Sequence, residues 1–338
     1  MTRAAWRLAG GFAAVALLAA AAVGGWQWHQ RHARDIPVLM YHNVLPADEV
    51  RNVWQVTTEE FARQMDDLKR AGYTTILPED ISRAARGKGW LPRKPVCITF
   101  DDGYEGVMRC AEPVLAAHGF KAICYVIVRR LGEEGAERPV FDSGPLMTTN
   151  EAVAMHRRGT VEIGVHSLTH TRSAPGLALE ASVGRWVVEK EMGIPRARHY
   201  CYPYGNFRQD YMRAAVEEGK YRTATVCEDQ MFHYGPEADL LAIPRLSVYG
   251  GVHDIRVESV DAAAGTVTVR NEGTALPLKA VLRDGAGRIV AETETVRVGG
   301  KEPAILRSPG PFPENCTVEL WDANGLFRYS PDRSSSGN

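Results

Sequence analysis

Net charge is what this 338-residue chain lacks most: 40 lysines and arginines face 41 aspartates and glutamates, for a formal charge of −1. With a pI of about 6.8, no global field draws the protein to nucleic acid or to acidic lipid, so a polyanion could be held only by a local patch. Paired cysteines are also missing. The six cysteines form no CxxC pair and no zinc-ribbon spacing, which removes the usual thiolate metal sites. Cys97, Cys124 and Cys201 lie in apolar, strand-like runs, where a thiol behaves as a small buried hydrophobe. The remaining composition, 45% hydrophobic and 24% charged, is that of a globular protein long enough for one large domain and a smaller one.

Long uncharged runs are scarce. The exception is residues 8–28, which are 21 residues without a charge and about enough, at roughly 1.5 Å per residue, to cross a bilayer. Arg3 and Arg7 precede this run, which favours a cytoplasmic N-terminus and an exported remainder. Its length and the interfacial Trp26 and Trp28 favour an uncleaved anchor in the inner membrane, with the rest of the chain outside the cytoplasm. A cleaved signal peptide ending near Ala20-Ala21-Ala22, giving a secreted or periplasmic protein, is the alternative.

Beyond the anchor, residues 36–250 alternate strand-like and helix-like segments. Ile36 to Tyr41 reads as a strand. Thr57 to Ala71 reads as an amphipathic helix, with Thr57 and Glu60 as a capping box and Gly72 as its stop. Strands are expected at 74–77, 94–100, 122–128, 161–165, 199–202, 222–226 and 240–248, and helices at 104–118, 149–159, 177–192 and 209–218. Repeated β-then-α units of this length imply parallel strands with helical crossovers, closed or nearly closed into a barrel. After Gly250-Gly251 the texture changes to short alternating strands separated by turns such as Asp284-Gly285 and Asn324-Gly325. Residues 251–332 therefore read as a small immunoglobulin-like β-sandwich. The last six residues, 333–338, read as a disordered tail.

Three stretches carry candidate chemistry, each directly after a strand. Ile98-Thr99-Phe100-Asp101-Asp102-Gly103-Tyr104 ends a buried strand in two adjacent carboxylates. That rim is where α/β folds collect catalytic groups, and neighbouring acids with different partners can take different tasks. His166-Ser167-Leu168-Thr169-His170 places two imidazoles four residues apart, which a helical turn would aim to one side. Together with a carboxylate from another strand end, they make a two-His, one-Asp set that suits zinc and also cobalt, nickel, iron or manganese. Tyr202-Pro203-Tyr204-Gly205 forms a rim loop in which a backbone N–H could face a developing oxyanion.

The order TFDDGY, HSLTH, PYG resembles the polysaccharide deacetylase family, carbohydrate esterase family four, over roughly residues 36–250. The resemblance implies a distorted (β/α)7-type barrel that removes acetyl groups from sugar polymers with a divalent metal. It implies Asp102, His166 and His170 as metal ligands and Asp101 as general base. It also implies that the Tyr204 N–H stabilises the oxyanion, with Pro203 and Tyr104 beside it at the substrate. Two family features are absent: the arginine two residues before the motif proline is Cys201 here, and the late Leu-x-His motif reads Leu246-Ser247-Val248. His42, at the end of the first barrel strand, is the candidate general acid, and Arg245 is the candidate partner of Asp101.

The Met40-Tyr41-His42 start, the Tyr-Pro-Tyr-Gly loop and the anchor resemble the subgroup of poly-β-1,6-N-acetylglucosamine deacetylases. This implies an N-acetylated exopolysaccharide as substrate and envelope polysaccharide-export proteins as partners. Peptidoglycan and O-acetylated glycans are the alternative substrates. A non-catalytic glycan-binding or assembly protein on a degenerate barrel is the alternative function.

Overall fold

The computed structural model describes residues 34–52, 54–142, 144–171, 177–205, 213, 216–250, 255–271, 276–286, 288–299, 302–322 and 328–329. The candidate anchor, most of the helix expected at 209–218, the Asn324-Gly325 turn and the C-terminal tail lie outside these residues. Among the described residues, no helix is long and apolar enough to cross a membrane.

The first part of the chain runs β1 (Arg34–Ile36), β2 (Val38–Tyr41), β3 (Asn43–Leu45), β4 (Gln55–Thr57), α1 (Thr58–Arg70), β5 (Thr74–Ile76), α2 (Pro78–Ala85) and β6 (Pro95–Phe100). It continues through α3 (Glu112–His118), β7 (Ala122–Val126), β8 (Val140–Phe141), β9 (Gly144–Pro145), α4 (Thr149–Arg158), β10 (Val161–Val165) and α5 (Leu177–Lys190). Then come β11 (His199–Cys201), β12 (Thr223–Thr225), β13 (Phe232–Tyr234) and β14 (Leu246–Ser247).

Local chemistry fixes the helices. Thr57 Oγ1 accepts from the Glu60 N–H while a Glu60 carboxylate oxygen accepts from the Thr57 N–H, the reciprocal box that starts α1. Phe61, Met65 and Leu68 then share its buried face. Thr148 and Glu151 repeat the box at α4, and Gly159 ends that helix in the left-handed region at φ 79°.

Eight strands form one parallel sheet in the order β12-β11-β10-β7-β6-β2-β14, with β5 also paired to β6. All six residues of β6 are buried, as a central strand covered on both faces requires. The register places the functional loops side by side. Tyr41 pairs with Phe100 and Val165 with both Val126 and Tyr200, so His42, Asp101, His166 and the loop after Cys201 leave one rim together. The expected barrel is a curled sheet whose ends nearly meet: β12 touches the segment leading to β14 by a single bridge, Thr225 to Ile243. Pro244 cannot donate to a ladder, which explains why the strand expected at 240–248 shrinks to Leu246–Ser247.

The helix expected at 104–118 opens with a π-helical turn over Val107–Ala111 before α3 begins. Just ahead of it, Gly106 packs so closely on β3 that a Cβ there would lie 2.2 Å from Asn43 Oδ1 and 2.3 Å from the Val44 carbonyl oxygen.

The C-terminal part holds β15 (Ile255–Asp261), β16 (Thr266–Asn271), β17 (Leu276–Arg283), β18 (Ile289–Glu292), β19 (Val296–Val298), β20 (Ala304–Arg307), β21 (Thr317–Asp322) and β22 (Arg328–Tyr329). β15, β16 and β20 form one antiparallel sheet, and β17 to β19 with β21 and β22 form another. Val267, Val269 and Leu306 of the first share a core with Leu278, Leu282 and Leu320 of the second. In β16 the valines are buried while Thr266, Thr268 and Arg270 are less so, the period-two alternation of a sheet with one covered face.

Candidate active site

Asp101 and Asp102 follow β6, and the backbone turns sharply between them: Asp102 is left-handed at φ 70° and Gly103 at φ 88°. The two carboxylates part company at that turn. Asp101 is 2% exposed and faces Arg245, whose Nη1 and Nη2 donate to Oδ1 and Oδ2 at 2.7 Å each. Arg245 is itself fully buried and also donates to Thr99 Oγ1 at 3.1 Å and to the Val226 carbonyl at 3.2 Å. Burial alone would push the Asp101 carboxyl up, but the guanidinium and the nearby His166 reverse this and hold it well below the usual carboxylate range.

Asp102 turns instead to the histidines. Its Oδ1 lies 3.4 Å from His166 Nε2 and 3.7 Å from His170 Nε2, and the two Nε2 atoms are 3.2 Å apart. His166 Nδ1 lies 2.9 Å from the Cys201 carbonyl. A proton on Nδ1, donated to that carbonyl, leaves the Nε2 lone pair directed at the other donors. Three donor atoms of this chemistry, converging in a buried pocket with the tautomer of one imidazole set from behind, fit a divalent cation. Without positive charge there, burial and the neighbouring Asp101 push the Asp102 carboxyl up to about 7, while burial and His166 push His170 down to about 3.

The two imidazoles do not converge through a helical turn as the spacing suggested. Residues 166–170 are non-helical, and Ser167 and His170 are left-handed at φ 66° and 63°. Ser167 Oγ accepts from the His170 N–H at 2.8 Å, and Glu180 of α5 accepts from the Leu168 and Thr169 N–H groups at 2.8 and 2.6 Å. These bonds fix a bend that L-residues adopt reluctantly.

Tyr204 has the same left-handed character at φ 60°, between the buried Pro203 and Gly205. Its ring is half exposed and lies 4.4 Å from that of His170. His42 lies at the same rim, where burial pushes its imidazole down to about 4. Tyr104 is buried at 5% exposure and hydrogen-bonds Asp102. Seven of the nine residues singled out in the sequence line one cavity of about 400 Å³, namely His42, Asp101, Asp102, Tyr104, His166, His170 and Tyr204. Pro203 supports the loop from beneath. Arg245 stands behind Asp101, paired with its carboxylate, and does not line the cavity.

A model of the polysaccharide deacetylase family matches residues 88–224. Over that stretch the barrel domain is similar to the polysaccharide deacetylase family. YxkH of Bacillus subtilis is 27% identical to the chain over 188 residues, which are 54% of this chain and 62% of YxkH, so the match spans less than two thirds of that relative. The poly-β-1,6-N-acetyl-D-glucosamine N-deacetylase of Staphylococcus epidermidis is 26% identical over 226 residues, 63% of this chain and 74% of the relative. Among solved structures, the Streptococcus pyogenes deacetylase PplD, in complex with acetate, superposes with a TM-score of 0.56 at 20% identity, covering 65% of this chain and 95% of PplD. IcaB from Ammonifex degensii gives a TM-score of 0.54 at 23% identity, covering 63% of this chain and 91% of IcaB. At these identities the two structures bear on the fold of the deacetylase domain.

The cavity also has walls that the motifs did not single out. Trp54 and Tyr249 line its mouth, and Asn43 lies deeper, 1% exposed, with neither side-chain polar atom hydrogen-bonded among the described residues. Asn43 adjoins the His42 already singled out, but Trp54 and Tyr249 come from a loop and a strand exit without a sequence signature. Cys201 is fully buried, as its apolar run suggested, with its Sγ 3.1 Å from Arg245 Nη2. Burial pushes that thiol well up, so it packs as a neutral group beside the ion pair.

Proposed function

We propose that the protein is a metal-dependent hydrolase that removes N-acetyl groups from an extracytoplasmic polysaccharide containing N-acetylglucosamine. The observation that carries this reading is the convergence of Asp102, His166 and His170 beside Asp101 at the rim of a deacetylase-family barrel. Similarity to the Staphylococcus epidermidis enzyme supports a β-1,6-linked exopolysaccharide ahead of peptidoglycan or an O-acetylated glycan.

Asp102, His166 and His170 would hold the cation, with zinc the best match to two imidazoles and a carboxylate and cobalt, nickel, iron or manganese also compatible. When bound, a divalent cation supplies Lewis acidity, bringing the pKa of a coordinated water towards about 7 and polarising the acetyl carbonyl. Asp101, held ionised by Arg245, accepts the proton of the attacking water. The pairing makes Asp101 a weak base but a fixed one: both oxygens are restrained by the fork, so its open lone pairs keep one direction. The Tyr204 N–H, held in place by Pro203 and a left-handed backbone, faces the carbonyl oxygen as negative charge develops. His42, neutral at rest, takes up the released proton and returns it to the leaving nitrogen, since an amine leaves far more readily than an amide anion.

Residues 8–28 would anchor this domain outside the cytoplasm beside polysaccharide-export proteins of the envelope. Acetate release by the purified full-length protein from N-acetylglucosamine oligomers, with and without chelator and with each metal restored, tests the reading. Chelator-sensitive release supports it. Tight oligomer binding with no release under any metal would favour a non-catalytic glycan-binding barrel.

A further inference from the structure

The loop between β3 and β4 presents Trp54 at the mouth of the cavity, and the loop is built to hold it there. The Trp54 N–H donates to Asn52 Oδ1 at 2.9 Å, and the Asn43 N–H donates to the Trp54 carbonyl at 3.3 Å. Gln55, 3% exposed, accepts from the Asn52 and Arg51 N–H groups at 3.1 and 2.5 Å. From the other side the chain after β14 closes in: a Cβ on Gly250 would lie 1.8 Å from the Gln55 carbonyl oxygen, so only glycine allows this contact. The Trp54 ring centroid is 4.6 Å from that of His42 and 4.9 Å from that of Tyr249. Despite these neighbours, Trp54 remains 38% exposed, on the cavity side.

A large aromatic ring fixed by its backbone, backed by two other rings and left open to a catalytic cavity suits one kind of ligand surface. It is flat and apolar, with a negative face that attracts the positive C–H edges of a ring lying across it. A pyranose offers one face of axial C–H groups and a rim of hydroxyls that stays in water. We propose that Trp54 is the stacking platform for the sugar ring that carries the reacting acetamide, seating it so that its nitrogen comes within reach of His42. The proposal rests on the deacetylase reading and adds a determinant of sugar recognition that lies outside the metal-centred motifs. Preorganisation is the physical gain: the loop's hydrogen bonds fix Trp54 before the glycan arrives, so little ordering is required on binding.

The test uses N-acetylglucosamine pentamers of β-1,6 and β-1,4 linkage and the full-length protein. Calorimetric Kd values are measured in an Asp101→Asn background, and KM and kcat in the otherwise wild-type chain. Trp54→Leu keeps apolar packing against His42 but removes the aromatic face. It is expected to weaken pentamer binding and raise KM by about tenfold or more, with a smaller change in KM for methyl acetate, which has no ring to stack. Trp54→Phe, which keeps an aromatic face, is expected to recover most of the loss. Pentamer binding should change the tryptophan fluorescence of the wild type, and most of that change should vanish in Trp54→Phe, which gives a readout even if Trp54→Leu folds poorly. Kd and KM within twofold of wild type in Trp54→Leu, or equal losses in the Phe and Leu variants, would overturn the platform. If no acetate is released from any glycan but pentamer binding still follows the Trp, Phe, Leu order, the catalytic reading fails while the sugar subsite stands.

Discussion

Arg245 and Asp101 meet fork to fork, two N–H···O bonds of 2.7 Å inside a fully buried pair whose members are 144 residues apart in sequence. Removing one partner strands the other charge away from water, a loss of about 3 to 5 kcal/mol when nothing compensates. Arg245→Met should therefore lower the denaturant midpoint steeply and cut acetate release together with it. Arg245→Lys keeps the charge but not the fork, so it should retain most of the stability and lose activity by roughly a hundredfold. The Cys201 sulfur lies 3.5 Å from Asp101 Oδ2 and 3.1 Å from Arg245 Nη2, so an arginine placed at 201 would reach the same carboxylate. Adding Cys201→Arg to Arg245→Met should restore part of both properties. No recovery in either would mean that Arg245 does more than position Asp101.

The division between the two carboxylates gives a second expectation. Asp101→Asn leaves Asp102, His166 and His170 in place, so the protein should keep its metal stoichiometry, measured by elemental analysis after dialysis, while acetate release falls by three orders of magnitude or more. His170→Ala removes one of three converging donors and should lose the metal under the same dialysis. Equal metal loss in both variants would show that Asp101 is a ligand and that the assignment of the two acids is wrong.

Much of this site was legible in the chain because its chemistry follows strands. Asp101, Asp102, His166 and Tyr204 each sit one to four residues past an apolar run, and the parallel register converts that shared position into one rim. The bend that joins His166 to His170 was not legible. Left-handed φ at Ser167 and His170 is imposed by Glu180 and Ser167 hydrogen bonds, and propensity at those residues would argue for another backbone. The same limit applies to the π-helical turn at Val107–Ala111, which accompanies a contact between Gly106 and a strand some sixty residues earlier. β20 (Ala304–Arg307) is hard to read from the chain because Pro303 and the glycines before it look like a loop, whereas its pairing with β16 is a tertiary choice. No helix was expected at α2, although its start signal was present in Pro78 and Asp80, the latter accepting from the Leu77 N–H at 2.9 Å.

His42 gives a pH dependence whose sign follows from its surroundings. Burial, only partly offset by Asp101, lowers the imidazole from an ordinary 6.5 to about 4 in the folded protein. Between those two values the unfolded chain binds a proton that the folded chain refuses, so stability must rise with pH across that window and level off above it. The scale is about 1.4 kcal/mol for each pKa unit separating the two states. His42→Gln should flatten this part of the curve. Midpoints of thermal unfolding at pH 4.5, 5.5 and 7.5 would check it: the wild type should fall further than the variant on acidification. In the activity assay the same substitution should lower kcat by about a hundredfold or more, because the leaving amine loses its proton donor. An unchanged kcat would remove His42 from the reaction.

Gly205 closes the loop that carries Tyr204, and two separate demands fall on it. Its backbone is left-handed at φ 65°, and a Cβ there would lie 2.7 Å from Cys227 Cβ and 2.8 Å from the Cys227 backbone nitrogen. The first demand alone costs an L-residue about 1 to 2 kcal/mol. The second can be relieved only by moving main chain, because a backbone atom is not the free end of a flexible side chain. Gly72 separates the two effects, since it has φ 78° and nothing within 4 Å of its would-be Cβ. Gly72→Ala should cost the strain term and leave kcat untouched, since α1 ends far from the rim. Gly205→Ala should cost about 1 to 3 kcal/mol more and should lower kcat beyond what the lost stability explains, because the shift is transmitted to the Tyr204 N–H one residue away. Equal effects of the two substitutions on both unfolding midpoint and kcat would mean that the Tyr204 loop tolerates displacement, and that its N–H does not serve the oxyanion.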